Sequence, residues 1–200
     1  MLVLRSSPAS PFGRKVKIAA HHLGLIDRIE IIAADTTDQT EVLRQQNPLG
    51  KIPALILEDG TVLYDSRVIV DYLDYLAGGG EIIPADAAQR YPALVMQALA
   101  DGIADAALLQ VYESRWREEA QQSVTWKTHQ SGKVERGLAA AKALSFEGPV
   151  HVGSIALACA LGYLDLRFQG AWRTTHPKLV AFLDDFAARV PSFELTRFKS

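Results

Sequence analysis

Short apolar runs alternate with segments of helical periodicity over roughly the first eighty residues. Short apolar or alternating runs favour strands, whereas apolar positions spaced three and four apart favour helices. This pattern predicts the element order β-α-β-α-β-β-α, with strands at 2–4, 29–33, 54–58 and 61–64. A strand–helix–strand unit followed by a hairpin gives a mixed four-stranded sheet with helices packed on it.

Local signals mark where these elements begin and end. Ser10 is a favoured helix N-cap and Pro11 a favoured first helical residue, and Gly24 ends that helix. Three basic residues of this helix are not on its apolar face and are expected on its other faces: Arg14, Lys15 and Lys17. The polar stretch 36–46 is expected to hold a short helix, and Asp59-Gly60 predicts a hairpin turn.

Glycines at 78–80 and Pro84 interrupt this pattern, and the segments beyond them are helical in period. The predicted domains are an α/β domain at 1–77, a linker at 78–86 and an all-α domain at 87–200. The predicted helices of the second domain span 87–116, 123–144, 154–168 and 177–189. The third of these is strongly apolar, so we expect it at the centre of the core.

Composition narrows the possible partners. The 200 residues are 48% hydrophobic, and 21 basic against 23 acidic side chains give a net charge of −2. No basic arm suggests nucleic acid or an anionic membrane surface. No apolar run approaches the ~20 residues of a membrane span, and no leader pattern begins the chain, which favours a soluble cytoplasmic protein.

Cysteine and histidine usage argues against disulfides and metal centres. Cys159 is the one cysteine, and its apolar surroundings suggest a small core residue. His21 and His22 are adjacent, so on a helix they point in different directions. No metal is expected.

Candidate binding chemistry lies in the stretch 47–55, which reads NPLGKIPAL. Pro53 stands directly before a strand, where the missing N–H does no harm, and X-Pro bonds are the usual place for a cis peptide. A cis bond there is expected to turn the main chain of Ile52 outward, where an extended peptide can pair with it. The side chains expected around such a peptide are Lys51, Asp65 and Ser66.

Four motifs in this order resemble the glutathione S-transferase superfamily: SPASPFGRKVK at 7–17, NPLGKIPAL at 47–55, YDS at 64–66 and GSIALACALGYLD at 153–165. The resemblance is nearest to bacterial serine-type members, between the zeta-like and omega-like patterns. It implies the GST fold, with a thioredoxin-like α/β N-terminal domain, an all-α C-terminal domain and a homodimer. It also implies glutathione as co-substrate and a hydrophobic electrophile in the cleft between the domains.

The resemblance assigns roles to individual positions. Ser10 matches the catalytic residue that contacts the glutathione sulfur, and the backbone of Ile52 matches the partner of the cysteinyl unit. The acid–serine pair that holds the γ-glutamyl end corresponds to Asp65 and Ser66, with Ser66 expected to cap its helix. The remaining glutathione-site positions are Phe12, Lys51 and Pro53. The co-substrate cleft is assigned three residues at i, i+3 and i+4 of the long helix, for which packing in the core or at an interface stays open: Tyr112, Arg115 and Trp116.

The free energy that Ser10 and its helix must supply to ionise a thiol can be estimated. A free thiol has a pKa near ~8.5, and lowering it by ~2 units needs about 2.7 kcal/mol of preferential stabilisation of the thiolate. A hydroxyl donor together with a helix N-terminus supplies that order of magnitude. Two alternatives stay open: Ser10 as a plain helix cap, and Ser7 as the donor.

Glutathione transfer to an electrophile, typical of detoxification, is the function these features favour. The alternatives are a non-catalytic glutathione- or ligand-binding protein and a glutathione-dependent isomerase or dehalogenase. Reduction of mixed disulfides is not favoured, because that reaction usually needs a cysteine at the position of Ser10. One departure from the family pattern concerns the Ser/Thr-x-x-Asp capping box of the core helix, replaced here by His151 and Ser154, which predicts a cap weakened by about 1 kcal/mol.

Overall fold

A computed structural model describes residues 1–198 of the chain. Its N-terminal part is built on four strands: β1 (Leu2–Ser6), β2 (Ile29–Ala33), β3 (Ala54–Ile56) and β4 (Val62–Leu63). The sheet order is β2-β1-β3-β4; β1 is parallel to β2, and the other two pairings are antiparallel. The mixed four-stranded sheet is therefore confirmed, with a hairpin shorter than predicted.

Three helices accompany the sheet: α1 (Pro11–His22), α2 (Leu43–Gln46) and α3 (Ser66–Leu76). The predicted element order is confirmed. The cap of α1 forms as its sequence predicts, because the Ser10 Oγ accepts a hydrogen bond from the Gly13 N–H at 3.1 Å. The polar stretch before Asn47 forms only a four-residue helix.

The C-terminal part contains the long helix α4 (Ala87–Trp116), then α5 (Val124–Ala141), α6 (Val152–Phe168), α7 (Pro177–Arg189) and the short α8 (Ser192–Leu195). The prediction that α6 is central is confirmed, since nearly all of its residues up to Leu164 are buried, and it packs on α1, α4 and α7. The segment joining α3 to α4 is held by Asp74, whose carboxylate accepts N–H bonds from Gly80 and Ile82 at 2.8 and 2.7 Å.

The expectation that no segment is long and apolar enough to cross a membrane is wrong for α4. By length and composition alone this 30-residue helix passes that test. One such helix is weak evidence for a membrane span, because a core helix of a soluble protein passes it equally. Here α4 packs against α5 and α6, and Asp101 near its middle forms an ion pair.

The basic residues of α1 do not all face solvent, which corrects the sequence-based expectation. Lys15 is 1% exposed, and its Nζ donates to both carboxylate oxygens of Asp101 at 2.7 and 2.8 Å. Arg14 is also buried; it donates to the Phe193 carbonyl and lies 4.0 Å from the centre of that ring. These two side chains attach α1 to α4 and to α8, so the helix that carries Ser10 is fixed from behind.

The capping box of α6 is present, so the prediction of a weakened cap is corrected. The His151 Nδ1 accepts from the N–H groups of Gly153 and Ser154 at 3.1 and 3.4 Å. In return, the Ser154 Oγ accepts from the His151 N–H at 3.0 Å. A neutral imidazole nitrogen thus performs the task of the usual hydroxyl.

This cap should make stability depend on pH. Burial lowers the pKa of His151 in the folded state. In the unfolded chain the pKa of this residue is ~6.5, so as the pH falls His151 is protonated in the unfolded chain before it is protonated in the folded one. The contribution is present above the unfolded pKa and is lost as the pH falls through the folded pKa, with a slope of at most about 1.4 kcal/mol per pH unit. We expect His151→Asn, which caps without titrating in this range, to flatten that decline in urea unfolding between neutral and mildly acidic pH. An unchanged pH profile would contradict the assignment.

Candidate functional site

A cleft of about 570 Å³ opens between the N-terminus of α1, the loop of residues 50–52 and the inner faces of α4 and α6. Of the residues that the sequence assigns to the site, the cleft brings together Ser10, Phe12, Lys51, Ile52, Tyr112 and Arg115. The rival donor Ser7 lines it as well. Residues far apart in the chain thus share one solvent-accessible space.

Ser10 can act both as a helix cap and as a donor. Its oxygen is an acceptor for the Gly13 N–H, which leaves the hydroxyl proton available. Within residues 1–198 that hydroxyl donates to no protein acceptor. The two interpretations of Ser10 are therefore compatible, whereas the choice between Ser10 and Ser7 as sulfur ligand stays open.

The loop before β3 is held in shape by Asn47. This buried side chain donates to the Lys51 carbonyl at 2.8 Å and accepts from the Leu49 N–H at 3.1 Å, while Gly50 takes the left-handed turn at φ +60°. The peptide bond between Ile52 and the next residue is cis, as predicted.

This loop leaves a backbone free to bind. Ile52 lies outside the strands, and its N–H and C=O take part in none of the loop or turn hydrogen bonds of the described chain. Lys51 and Ile52 line the cleft, whereas Pro53 is buried behind them.

The acid–serine pair is not part of the lining of the cleft. Asp65, and not Ser66, is the N-cap of α3, since its carboxylate accepts from the Arg67 N–H at 2.9 Å; Ser66 is the first helical residue. Hydrogen bonding to the Arg67 side chain, 2.8 Å away, holds the pKa of Asp65 below its ordinary value. Asp65 is therefore a carboxylate at neutral pH, with lone pairs left for a ligand ammonium.

The helical side of the cleft differs from the prediction. Trp116 is 58% exposed and lies outside the lining, whereas α6 contributes Tyr163 and Arg167, which sequence reasoning missed. The Arg115 guanidinium carbon lies 5.2 Å from the Tyr112 ring centre, and that of Arg167 lies 5.8 Å from Tyr163. An aromatic residue followed four positions later by arginine was the signal on α6. On α4 the arginine follows the tyrosine by three positions, and both spacings place the two side chains on one face of a helix.

A second, much smaller hollow of about 30 Å³ lies behind Ser10, against Arg14, Cys159 and Tyr163. Burial raises the pKa of the Cys159 thiol to about 11, so the thiol stays protonated at neutral pH. The prediction of a buried core cysteine is confirmed.

Known proteins resemble this chain in sequence and in fold. Residues 9–76 match the family model for the glutathione S-transferase N-terminal domain. An uncharacterized GST-like protein of Escherichia coli K12, YibF, is 33% identical over 93% of this chain and 94% of its own length. The chain belongs to the glutathione S-transferase family. Its thioredoxin-like N-terminal and helical C-terminal parts are those of the GST fold.

Two solved glutathione transferases resemble it over nearly their whole length. A family member from Pseudomonas fluorescens Pf-5, with glutathione bound, is 41% identical, covers 100% of both chains and has a TM-score of 0.89. A glutathione S-transferase from Methylobacillus flagellatus KT, also with glutathione bound, is 36% identical, covers 98% of this chain and 99% of its own, and has a TM-score of 0.90.

Proposed function

We propose that this protein is a serine-type glutathione transferase that binds glutathione, ionises its thiol and presents the thiolate to an electrophile in the cleft. The observation that carries the proposal is that a free hydroxyl at a helix N-terminus and an unpaired backbone segment line the same cleft, Ser10 and Ile52. Two glutathione-bound relatives of the same fold support it.

Glutathione would bind as a short extended peptide beside the loop 50–52. The backbone of Ile52 would pair with the cysteinyl unit, and Lys51 would face a carboxylate. The γ-glutamyl end would reach the N-terminus of α3, where free N–H groups donate to its carboxylate and Asp65 accepts from its ammonium. Phe12 and Pro53 complete this proposed site from the start of α1 and from behind the loop.

Activation of the thiol follows from the surroundings of Ser10. The hydroxyl can donate to sulfur, and the N-terminus of α1 adds favourable electrostatics for an anion. The thiol proton leaves to solvent, and the thiolate forms a C–S bond to the electrophilic carbon. The leaving group then departs with its bonding electron pair, so the serine acts as a donor and never as a nucleophile. Orientation and anion stabilisation supply the rate.

Retention on immobilised glutathione, followed by assay with an aromatic electrophile such as chlorodinitrobenzene, tests the function. We expect the protein to elute with free glutathione and to form the S-aryl conjugate. Glutathione binding without turnover over a range of such electrophiles would favour a binding protein, and absence of binding would reject the proposal altogether.

We also propose a homodimer. Apolar side chains on the outer faces of α3 and α4 are exposed, and the Asp71–Arg90 ion pair at 3.8 Å brings the two faces side by side: Val68, Tyr75, Tyr91 and Val95. An exposed cluster of this kind is typical of an interaction surface. Sedimentation velocity should give twice the 21.9 kDa chain mass, and a monomer would contradict it. A cytoplasmic location and a detoxifying role are parts of the same proposal.

A further inference from the structure

Two guanidinium groups face the cleft from its helical side. Arg115 lies on α4 and Arg167 on α6, and both line the cleft that holds Ser10. Each stacks on a tyrosine of its own helix, at 5.2 Å for Tyr112 and 5.8 Å for Tyr163. Stacking restrains a long side chain, so each cation is directed by a rigid ring.

Neither guanidinium forms a salt bridge within residues 1–198, although, after the hydrogen bonds from Thr37, the charge of Arg115 contributes to lowering the pKa of Asp35 on the other side of the cleft. The ion pairs within residues 1–198 involve other arginines, and two acids line the cleft: Asp35 and Asp105. Asp35 already accepts from the Thr37 hydroxyl and N–H at 2.6 and 2.8 Å. The lining therefore contains three basic side chains, Lys51 and the two arginines, and two acidic ones, which gives it a net charge of +1.

The three basic side chains of the cleft lie on its two opposite sides. Lys51 belongs to the loop 50–52, where the proposed function places glutathione, whereas both arginines belong to α4 and α6 on the helical side. Tyr112 is half-buried and offers ring surface on this side of the cleft, whereas Tyr163 lines it with only 3% of its own surface exposed. Burial raises the pKa of Tyr163, which keeps its phenol protonated and able to donate.

We propose that the second substrate is a planar electrophile that carries a carboxylate, with its ring beside Tyr112 and Tyr163 and its carboxylate between Arg115 and Arg167. This inference rests on the proposed transferase function and replaces a purely apolar co-substrate with an anionic one. Arginine is the residue best suited to recognise a carboxylate, since its planar donors match the two oxygens.

A matched pair of substrates tests this proposal. Chlorodinitrobenzene and its ring-carboxylated counterpart, chlorodinitrobenzoate, undergo the same substitution: the C–S bond forms, chloride leaves with the C–Cl electron pair, and the thiol proton passes to water. We expect Arg115→Gln and Arg167→Gln each to reduce kcat/KM for the benzoate by about 10- to 100-fold, the size of one charge-assisted interaction. The loss with the neutral compound should be at least about 5-fold smaller, so that the preference for the benzoate falls, whereas the control Arg136→Gln on the exposed face of α5 should leave turnover of both compounds within about 2-fold.

Three results separate the possibilities. Equal losses with both substrates would show a general structural effect and overturn the proposal. A raised KM for glutathione, with no change in discrimination between electrophiles, would assign the arginines to glutathione and overturn it as well.

The third result comes from calorimetry, which tests the site without turnover. Wild-type protein should bind the carboxylated S-aryl glutathione conjugate more tightly than the neutral one. Glutathione binding without that preference would overturn this proposal alone, whereas absence of all glutathione binding would overturn the transferase function with it.

Discussion

Ser10→Ala is expected to reduce conjugation turnover at neutral pH by about 10- to 30-fold, with a much smaller change in glutathione affinity. A thiol whose pKa returns from about 6.5 to about 8.5 is only a few per cent ionised at neutral pH, which sets the size of the loss. Most of the binding contacts proposed for glutathione lie elsewhere, at Ile52, Asp65 and Lys51. Steady-state kinetics together with calorimetric titration of glutathione separates the two effects.

The alanine variant also removes a helix cap, which typically costs about 1 kcal/mol of stability. Ser10→Thr keeps both the cap and the hydroxyl, so it should retain most of the activity and controls for the structural effect. Ser7→Ala is the second control, since Ser7 lines the same cleft. If Ser10→Ala keeps full turnover and Ser7→Ala loses it, the sulfur ligand is Ser7 and the assignment of Ser10 is wrong.

Lys15→Met is expected to lower the free energy of unfolding by about 3–5 kcal/mol, because it leaves Asp101 mostly buried without its partner. The ion pair is close, at 2.7 Å, and Lys15 is the more enclosed member. Burial already raises the pKa of Asp101, against the lowering effect of Lys15. Urea unfolding followed by circular dichroism measures the change.

The double variant Lys15→Met with Asp101→Leu tests whether an unpaired charge is the cause. Replacing both partners by apolar side chains should restore much of the lost stability. The more exposed pair Arg189–Asp185 is almost as close, at 2.8 Å, and provides the comparison: Arg189→Gln should change stability by less than about 1 kcal/mol. An equal loss of unfolding free energy at both pairs would contradict the claim that burial of Asp101 makes the loss of its partner costly.

Local signals explain what could be predicted of the fold. A cap, a proline, a hairpin turn and an apolar period each act within a few residues. The start of α1, the limits of β2 and the whole of α7 therefore agree with the prediction. Weak local signals were less informative: the polar stretch before Asn47 gave only a short α2, and α8 was not predicted. His151 could be recognised as a departure, but a single sequence does not show that its imidazole can serve as the cap.

The candidate site was predictable where the residues lie close together in the chain. The loop around Pro53 and the start of α1 each carry a compact motif. By contrast, Lys15 and Asp101 are 86 positions apart, and nothing in either segment indicates their pairing. Arg167 was missed for the same reason, since only the packing of α6 against α4 brings it to the cleft that Arg115 also lines.

Titration of the bound thiol tests the central claim most directly. Ultraviolet absorbance of the thiolate, followed against pH in the glutathione complex, reports the pKa of the sulfur beside Ser10. The account predicts a pKa about two units below that of free glutathione, and a return toward the free value in Ser10→Ala. A bound thiol that titrates like free glutathione in the unaltered protein would contradict it.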